Sequence, residues 1–196
     1  MTIALRRRQV VEILLRKRKD LLVVAGLGST AWDITAAGDS PLSFPLWGAM
    51  GNAAMIGLGL ALAQPARRVL VVTGDGEMLM GLGSLATIGV QQPRNLSVVV
   101  IDNERYGETG MQATHTASGA DLAKVAHACG FGSSRQVREA AELGALRAAI
   151  HGAPGPHFAQ VKVVAEKLPL VLPPREGGLL KTRFRRALLG AGADLA

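Results

Sequence analysis

Apolar residues along this 196-residue chain alternate between short unbroken runs and helix-spaced stripes. The runs at 20–25, 68–73, 96–101 and 157–163 have strand length and are rich in valine, as strands buried on both sheet faces are. Between and around them, 2–18, 30–38, 51–64, 78–91, 120–129 and 136–151 carry helical spacing, and a short strand fits near 132–134. Strands alternating with helices predict an α/β fold, an open and mostly parallel sheet with helices on both faces. Further on, 166–174 contains Pro169, Pro173 and Pro174 and reads as an extended arm. Residues 175–196 are basic and rich in glycine and alanine, predicting one short helix at 180–189 and then a loose end. The expected organisation is one domain over 1–165 and a basic C-terminal arm over 166–196.

The most informative stretch is the pair of runs at 69–73 and 96–101, because each stops at a metal-ligand type. The first ends in Gly74-Asp75-Gly76 and the second in Asp102-Asn103, with 25 residues between the two motifs. A helix-length segment joins them, so they form one β-α-β unit whose polar ends share a sheet edge. Open α/β sheets bind ligands at that carboxyl edge. Asp75 offers a carboxylate and Asn103 an amide oxygen, hard donors of the kind Mg²⁺ takes while sharing its octahedron with phosphates and water. Gly74 and Gly76 let backbone approach a phosphate closely.

This spacing and context resemble the diphosphate-binding domain of thiamine-diphosphate enzymes, whose signature is a GDG followed at such an interval by an Asn-containing pair. Asp102 departs from the usual Asn-Asn pair. The resemblance implies Mg²⁺ ligation by Asp75, by Asn103 and by the backbone carbonyl of Arg105. Upstream, Leu46-Trp47-Gly48-Ala49-Met50-Gly51 is similar to the segment that grips the aminopyrimidine. The Gly48 carbonyl would accept from the ring amino group, and Met50 would wedge between the two rings. Gly26-Leu27-Gly28-Ser29-Thr30 resembles the diphosphate-contacting turn, with Gly28 and the Ser29 hydroxyl at the phosphates. Glu77 and Tyr106 fall beside the phosphate and metal turns and join the cofactor-binding set. Within the family, the likeness runs to the small β subunits of sulfopyruvate decarboxylase and to the carboxy-terminal part of phosphonopyruvate decarboxylase. Gly110-Met111-Gln112-Ala113-Thr114 carries it, with Ala113 in place of a proline.

A rival reading takes 26–31 as the dinucleotide fingerprint G-x-G-x-x-A. That fingerprint wants an acid about 20 positions after the glycines, and 44–52 holds none; Asp39 lies in a loop before Pro41. Hydrophobic content of 48% suffices for one packed domain. The single cysteine, Cys129, excludes an internal disulfide framework and reads as a buried, inert thiol. The uncharged stretch 46–63 is long enough to suggest a membrane span, but its glycines and the terminating Gln64-Pro65 make it a buried core helix. Net charge is +7, concentrated at Arg6–Arg8, Arg16–Lys19 and 181–186. The first cluster flanks a stripe of Ile3, Val10, Val11, Leu14 and Leu15 and reads as a solvated basic face. Nucleic acid is not expected, for want of stacking aromatics or a known module. The arginine-rich start has no apolar core ahead of a cleavage site, so a cytoplasmic protein is expected.

Thiamine-diphosphate chemistry also needs a pyrimidine-binding domain, whose glutamate activates the cofactor. The resemblance covers 1–165 and leaves no room for it, which implies a partner subunit and a hetero-oligomer. The function implied is the β-type subunit of a heteromeric 2-oxo acid decarboxylase, using thiamine diphosphate and Mg²⁺. A carboligase or acyl-transferring subunit on the same cofactor, or a non-catalytic nucleotide-binding module, are the alternatives. Glu108, Thr109 and His115, in the loop after Asn103, are the candidates for the substrate side.

Overall fold

The computed structural model describes residues 5–194. Arg7–Leu15 (α1) precedes Leu22–Ala25 (β1), Ser29–Ala36 (α2), Ser43–Pro45 (β2), Ala53–Ala63 (α3) and Val69–Gly74 (β3). Asp75–Met80 (α4), Ser84–Gln91 (α5), Leu96–Asp102 (β4) and a small hairpin, Arg105–Tyr106 (β5) with Gln112–Ala113 (β6), come next. Leu122–Ala128 (α6), Ser133–Val137 (β7), Leu143–Gly152 (α7), His157–Lys162 (β8) and Gly177–Leu189 (α8) complete the order.

The main sheet has six strands in the order β2-β1-β3-β4-β8-β7, all parallel. Every residue of β4 is buried, as its largely apolar run predicts. Alternation then divides the core in two. Val23, Ala25, Leu70, Val72, Val99 and Ile101 face α1, α2 and α7, whereas Leu22, Val24, Val69, Val71, Val98 and Val100 face α3, α5 and α6. Each buried aliphatic of this size contributes about 1.5–3 kcal/mol. From β1 the chain runs outward to β2 and then returns to β3 on the other side. The crevice outside the carboxyl ends of β1 and β3 is therefore the switch point, where such sheets bind ligands.

Several expectations need correction. Of the helix expected over 2–18, the start falls on residues 1–4, which with Ile3 lie outside the described residues, and the described helix begins at Arg7. It ends at Leu15, with Lys17 and Lys19 at positive φ. The helix expected over 78–91 is two, α4 and α5, broken after Met80. A Cβ on Gly81 would lie 1.8 Å from the Gly51 carbonyl oxygen, so backbone crosses backbone there and a continuous helix is blocked. The short strand near 132–134 runs to Val137, and the helix expected from 136 begins at Leu143, after a one-turn 3-10 segment capped by Glu139 and Glu142. β2, within a stretch too short to show periodicity, adds a strand. Cys129 is only half-buried.

Beyond Val163 the chain leaves the sheet and stays tied to the body. Arg8 donates to the Pro169 carbonyl at 2.9 Å, and the Trp47 indole donates to the Pro174 carbonyl at 2.9 Å. α8 begins three residues earlier than expected and packs Phe184 against Phe44, ring centroids 5.4 Å apart. The end expected to be loose forms a 3-10 turn over Gly190–Asp194, its Ala193 carbonyl accepting from Arg185. No helix among the described residues is long and apolar enough to cross a membrane.

Candidate active site

A cleft of about 140 Å³ opens at the switch point, lined by the ends of β1, β3 and β4 and by the loop that follows β4. On one wall, Gly28 precedes α2 at φ +73°, a conformation that favours glycine, and no side chain caps the helix. The first-turn N–H groups of α2 lack intrahelical partners and favour an anion there. Thr30 turns its hydroxyl back to the Gly26 carbonyl at 2.9 Å, and Ser29 lines the cleft.

Opposite stands the metal-ligand pair. Gly74 ends β3 and Asp75 opens α4, in register beside Ile101 at the end of β4, with Asn103 just beyond. Asp75 is 1% exposed and accepts from Thr114 Oγ1 at 2.6 Å and Thr116 Oγ1 at 3.3 Å. Burial pushes its carboxyl up to about 6; the bond from Thr114 opposes that rise, and neighbouring Asp102 adds to it. Among the described residues no cation pairs with Asp75. A buried carboxylate beside a second one, without its own cation, is a group that gains from a bound divalent ion. Asn103 Oδ1 accepts from the Arg105 N–H at 3.0 Å and keeps a second lone pair. Among the described residues no three His, Cys, Asp or Glu side chains could hold a metal together. A Mg²⁺ site completed by amide, backbone and phosphate oxygens does not need them. The donor set therefore fits Mg²⁺ with a diphosphate.

Behind Asp75 lies a buried network that the sequence pattern alone does not reveal. Asp102, wholly buried, accepts from Thr116 at 2.8 Å, the Glu104 N–H at 3.0 Å, Gln160 at 2.6 Å and Lys162 at 2.8 Å. Lys162 also reaches Glu104 at 2.7 Å. Thr116 bonds both carboxylates, so the chain of contacts runs Lys162–Asp102–Thr116–Asp75. One hint of it is present: Gln160 and Lys162 are polar positions in an apolar strand, on the face and at the end where the unusual Asp102 lies. A buried acid requires such a partner.

Glu77, placed in the cofactor set, lines the cleft and also acts as a brace. Its carboxylate accepts from Thr73 at 2.7 Å and lies where a side chain on Gly26 would be. Burial raises its pKa against the pull of Thr73 and of the Ala53, Gly51 and Leu27 backbone. It thus ties the end of β3 to both cofactor turns. The Tyr106 ring lies against Gly76, and the Glu108 carboxylate against Gly28. Thr109 bonds Gln112 at 2.9 Å. Tyr106, Glu108 and Thr109 all line the cleft, whereas His115 opens a 3-10 turn outside it, 3.5 Å from the Tyr106 hydroxyl. Met50 stands at the open rim, 59% exposed, beside Met80 at 60%. Gly48 lies on the same segment but does not line the cleft.

In the N-terminal basic cluster, Arg6, Arg16, Lys17 and Lys19 are exposed, as a solvated face requires, but Arg7 is not. Arg7 is 4% exposed and lines the cleft, because α2 packs across the start of α1 and presents Asp33 to it.

The model of the thiamine pyrophosphate enzymes' C-terminal TPP-binding domain matches residues 28–161. The β subunit of sulfopyruvate decarboxylase from Methanothermobacter thermautotrophicus is 37% identical over 97% of this chain and 99% of that protein. Phosphonopyruvate decarboxylase from Streptomyces viridochromogenes is 46% identical over 58% of this chain and 28% of that protein. Benzoylformate decarboxylase from Polynucleobacter necessarius shares the fold at 20% identity, with TM-score 0.69 over 86% of this chain and 35% of that one.

Proposed function

The chain belongs to the thiamine pyrophosphate enzymes, in the family of their C-terminal cofactor-binding domain, and from that premise we propose what its cleft does. It serves as the β-type subunit of a thiamine-diphosphate-dependent 2-oxo acid decarboxylase of the sulfopyruvate and phosphonopyruvate decarboxylase kind. One observation carries this: a match to a decarboxylase β subunit along nearly its whole length.

In this reading the Asp75 and Asn103 side chains and the Arg105 carbonyl hold Mg²⁺. Ser29 and the start of α2 hold the diphosphate, and Gly48 and Met50 the ring end. Bound there, thiamine diphosphate supplies a carbon nucleophile and an electron sink for loss of carbon dioxide from a 2-oxo acid. The protein orients it and supplies the electrostatics. Thr114 and Thr116 aim the Asp75 carboxylate, Glu77 fixes the spacing of the two cofactor turns, and Tyr106 covers Gly76 and keeps water from that wall. Glu108 and Thr109, which line the cleft, are favoured over His115 for contact with the small 2-oxo acid.

The activating glutamate comes from a pyrimidine-domain, α-type partner. Glu77 is held by Thr73 and Glu108 lies against Gly28, so in this reading neither carboxylate is offered to the pyrimidine ring. Co-expression with a pyrimidine-domain subunit and a screen of 2-oxo acids for carbon dioxide release tests the reading. Release should require both chains, and hydrogen exchange should slow over 53–63 and 103–116 in the complex. Robust decarboxylation by the chain alone would overturn the partner assignment. Carbon dioxide release only in the presence of an acceptor, with a new carbon–carbon bond to it, would make it a carboligase.

A further inference from the structure

Helix α1 lies outside the segment that matches the family model, yet it delivers a cation to the phosphate end of the cleft. Arg7 Nη1 donates to Asp33 Oδ2 at 2.5 Å and to the Ser29 carbonyl at 3.1 Å. Among the described residues its Nε and Nη2 donate to nothing, and the residue lines the cleft together with Ser29. Arg8 Nε reaches the other oxygen of Asp33 at 3.2 Å. One wholly buried carboxylate thus faces two guanidiniums, and the cluster keeps an excess positive charge.

The local sequence works against this arrangement. Arg7 and Arg8 occupy the first turn of α1, where the helix dipole disfavours cations, and no acid accompanies them there. The uncapped start of α2 is a second positive end at the same place. An anion resolves the conflict; the Glu108 carboxylate lies against Gly28, but among the described residues no hydrogen bond or ion pair joins it to Arg7.

We infer that Arg7, fixed by Asp33, is an anion-binding residue for the terminal phosphate of the cofactor's diphosphate. Both a phosphate and the acid group of a substrate offer the oxyanion that a guanidinium binds. The contact with Ser29, at the phosphate turn, assigns Arg7 to the phosphate. This rests on the reading of the cleft as a diphosphate site, and the test separates the two.

The full chain is titrated by calorimetry with inorganic pyrophosphate in the presence of Mg²⁺, a probe that needs neither the ring half of the site nor a partner. Arg7→Gln should weaken binding about tenfold or more, the loss of one charge-assisted bond, and Arg7→Lys should fall between it and the wild type. If the wild-type chain binds no pyrophosphate, the diphosphate reading itself fails. If wild type and a folded Arg7→Gln bind alike, only this inference fails, and a rise in substrate KM in that variant would move Arg7 to the substrate. A measurement on the wild type avoids any folding defect: the Arg7 Nε–H resonance should shift on adding Mg²⁺ and pyrophosphate, and an unmoved signal overturns the inference.

Discussion

Around Asp75 and Asn103 the wall of the cleft is tied into the core. Four donors converge on Asp102, two threonines hold Asp75, and a buried lysine joins the ends of β4 and β8. Across the cleft, around Met50 and Met80, the wall is apolar and open to water. Trp47, Met55 and Leu62 are exposed on the same turn and on α3, and no formal charge falls between 46 and 66. Hydrogen bonds and a buried ion pair hold the wall around Asp75 in place. The methionine wall, flexible and polarizable, suits surfaces that are completed by something else. On the proposed reading, one chain prepares the diphosphate half of a site and leaves the ring half for assembly.

The hardest way to break this contrast is at the metal wall itself. Asp75→Ala should abolish Mg²⁺-dependent binding of thiamine diphosphate while the circular dichroism spectrum stays native. Tight binding retained in calorimetry would count against the metal assignment. One step back, Lys162→Met leaves Asp102 buried and unpaired. It should cost about 3–5 kcal/mol of stability, read by urea denaturation, and weaken Mg²⁺ affinity about tenfold through the displaced Asp75. Adding Asp102→Asn to it should restore much of both, which separates a lost charge pair from simple misfolding. The mildest change falls on the other wall. Met50→Ala should leave the melting temperature of the lone chain almost unchanged, as exposed substitutions do. In the assembled enzyme it should lower kcat about tenfold with less effect on cofactor affinity, because geometry at the reacting atoms is what it alters. An unchanged kcat would remove Met50 from the site.

How legible each wall was in the sequence follows from the same difference. Asp75 and Asn103 could be placed together because two valine-rich strands each end on a polar residue, a pattern that short-range periodicity carries. Lys162 could not be joined to Asp102, since the pairing depends on β8 lying next to β4, and strand order is not written in local pattern. The break between α4 and α5 was hidden for a related reason. Gly81 looks tolerable inside a helix until the Gly51 carbonyl is seen to occupy the space beside it. Arg7 was read as solvated because its neighbours are basic, and only the packing of α2 brings Asp33 over it. The methionine rim was legible as composition alone.

The register of β4 against β8, which sets Asp102 opposite Lys162, also constrains the mutational history of the chain. Lys162 also has Glu104 at 2.7 Å, a partner that does not depend on an acid at 102, so a lineage with asparagine there could acquire the lysine first and stay folded. The reverse order would strand a buried carboxylate, at a cost of about 3–5 kcal/mol in a domain whose total margin is about 5–15 kcal/mol. Ancestors with asparagine at 102 and lysine at 162 should therefore be viable when reconstructed, and descendants with aspartate at 102 and no base at 162 should be missing from the tree.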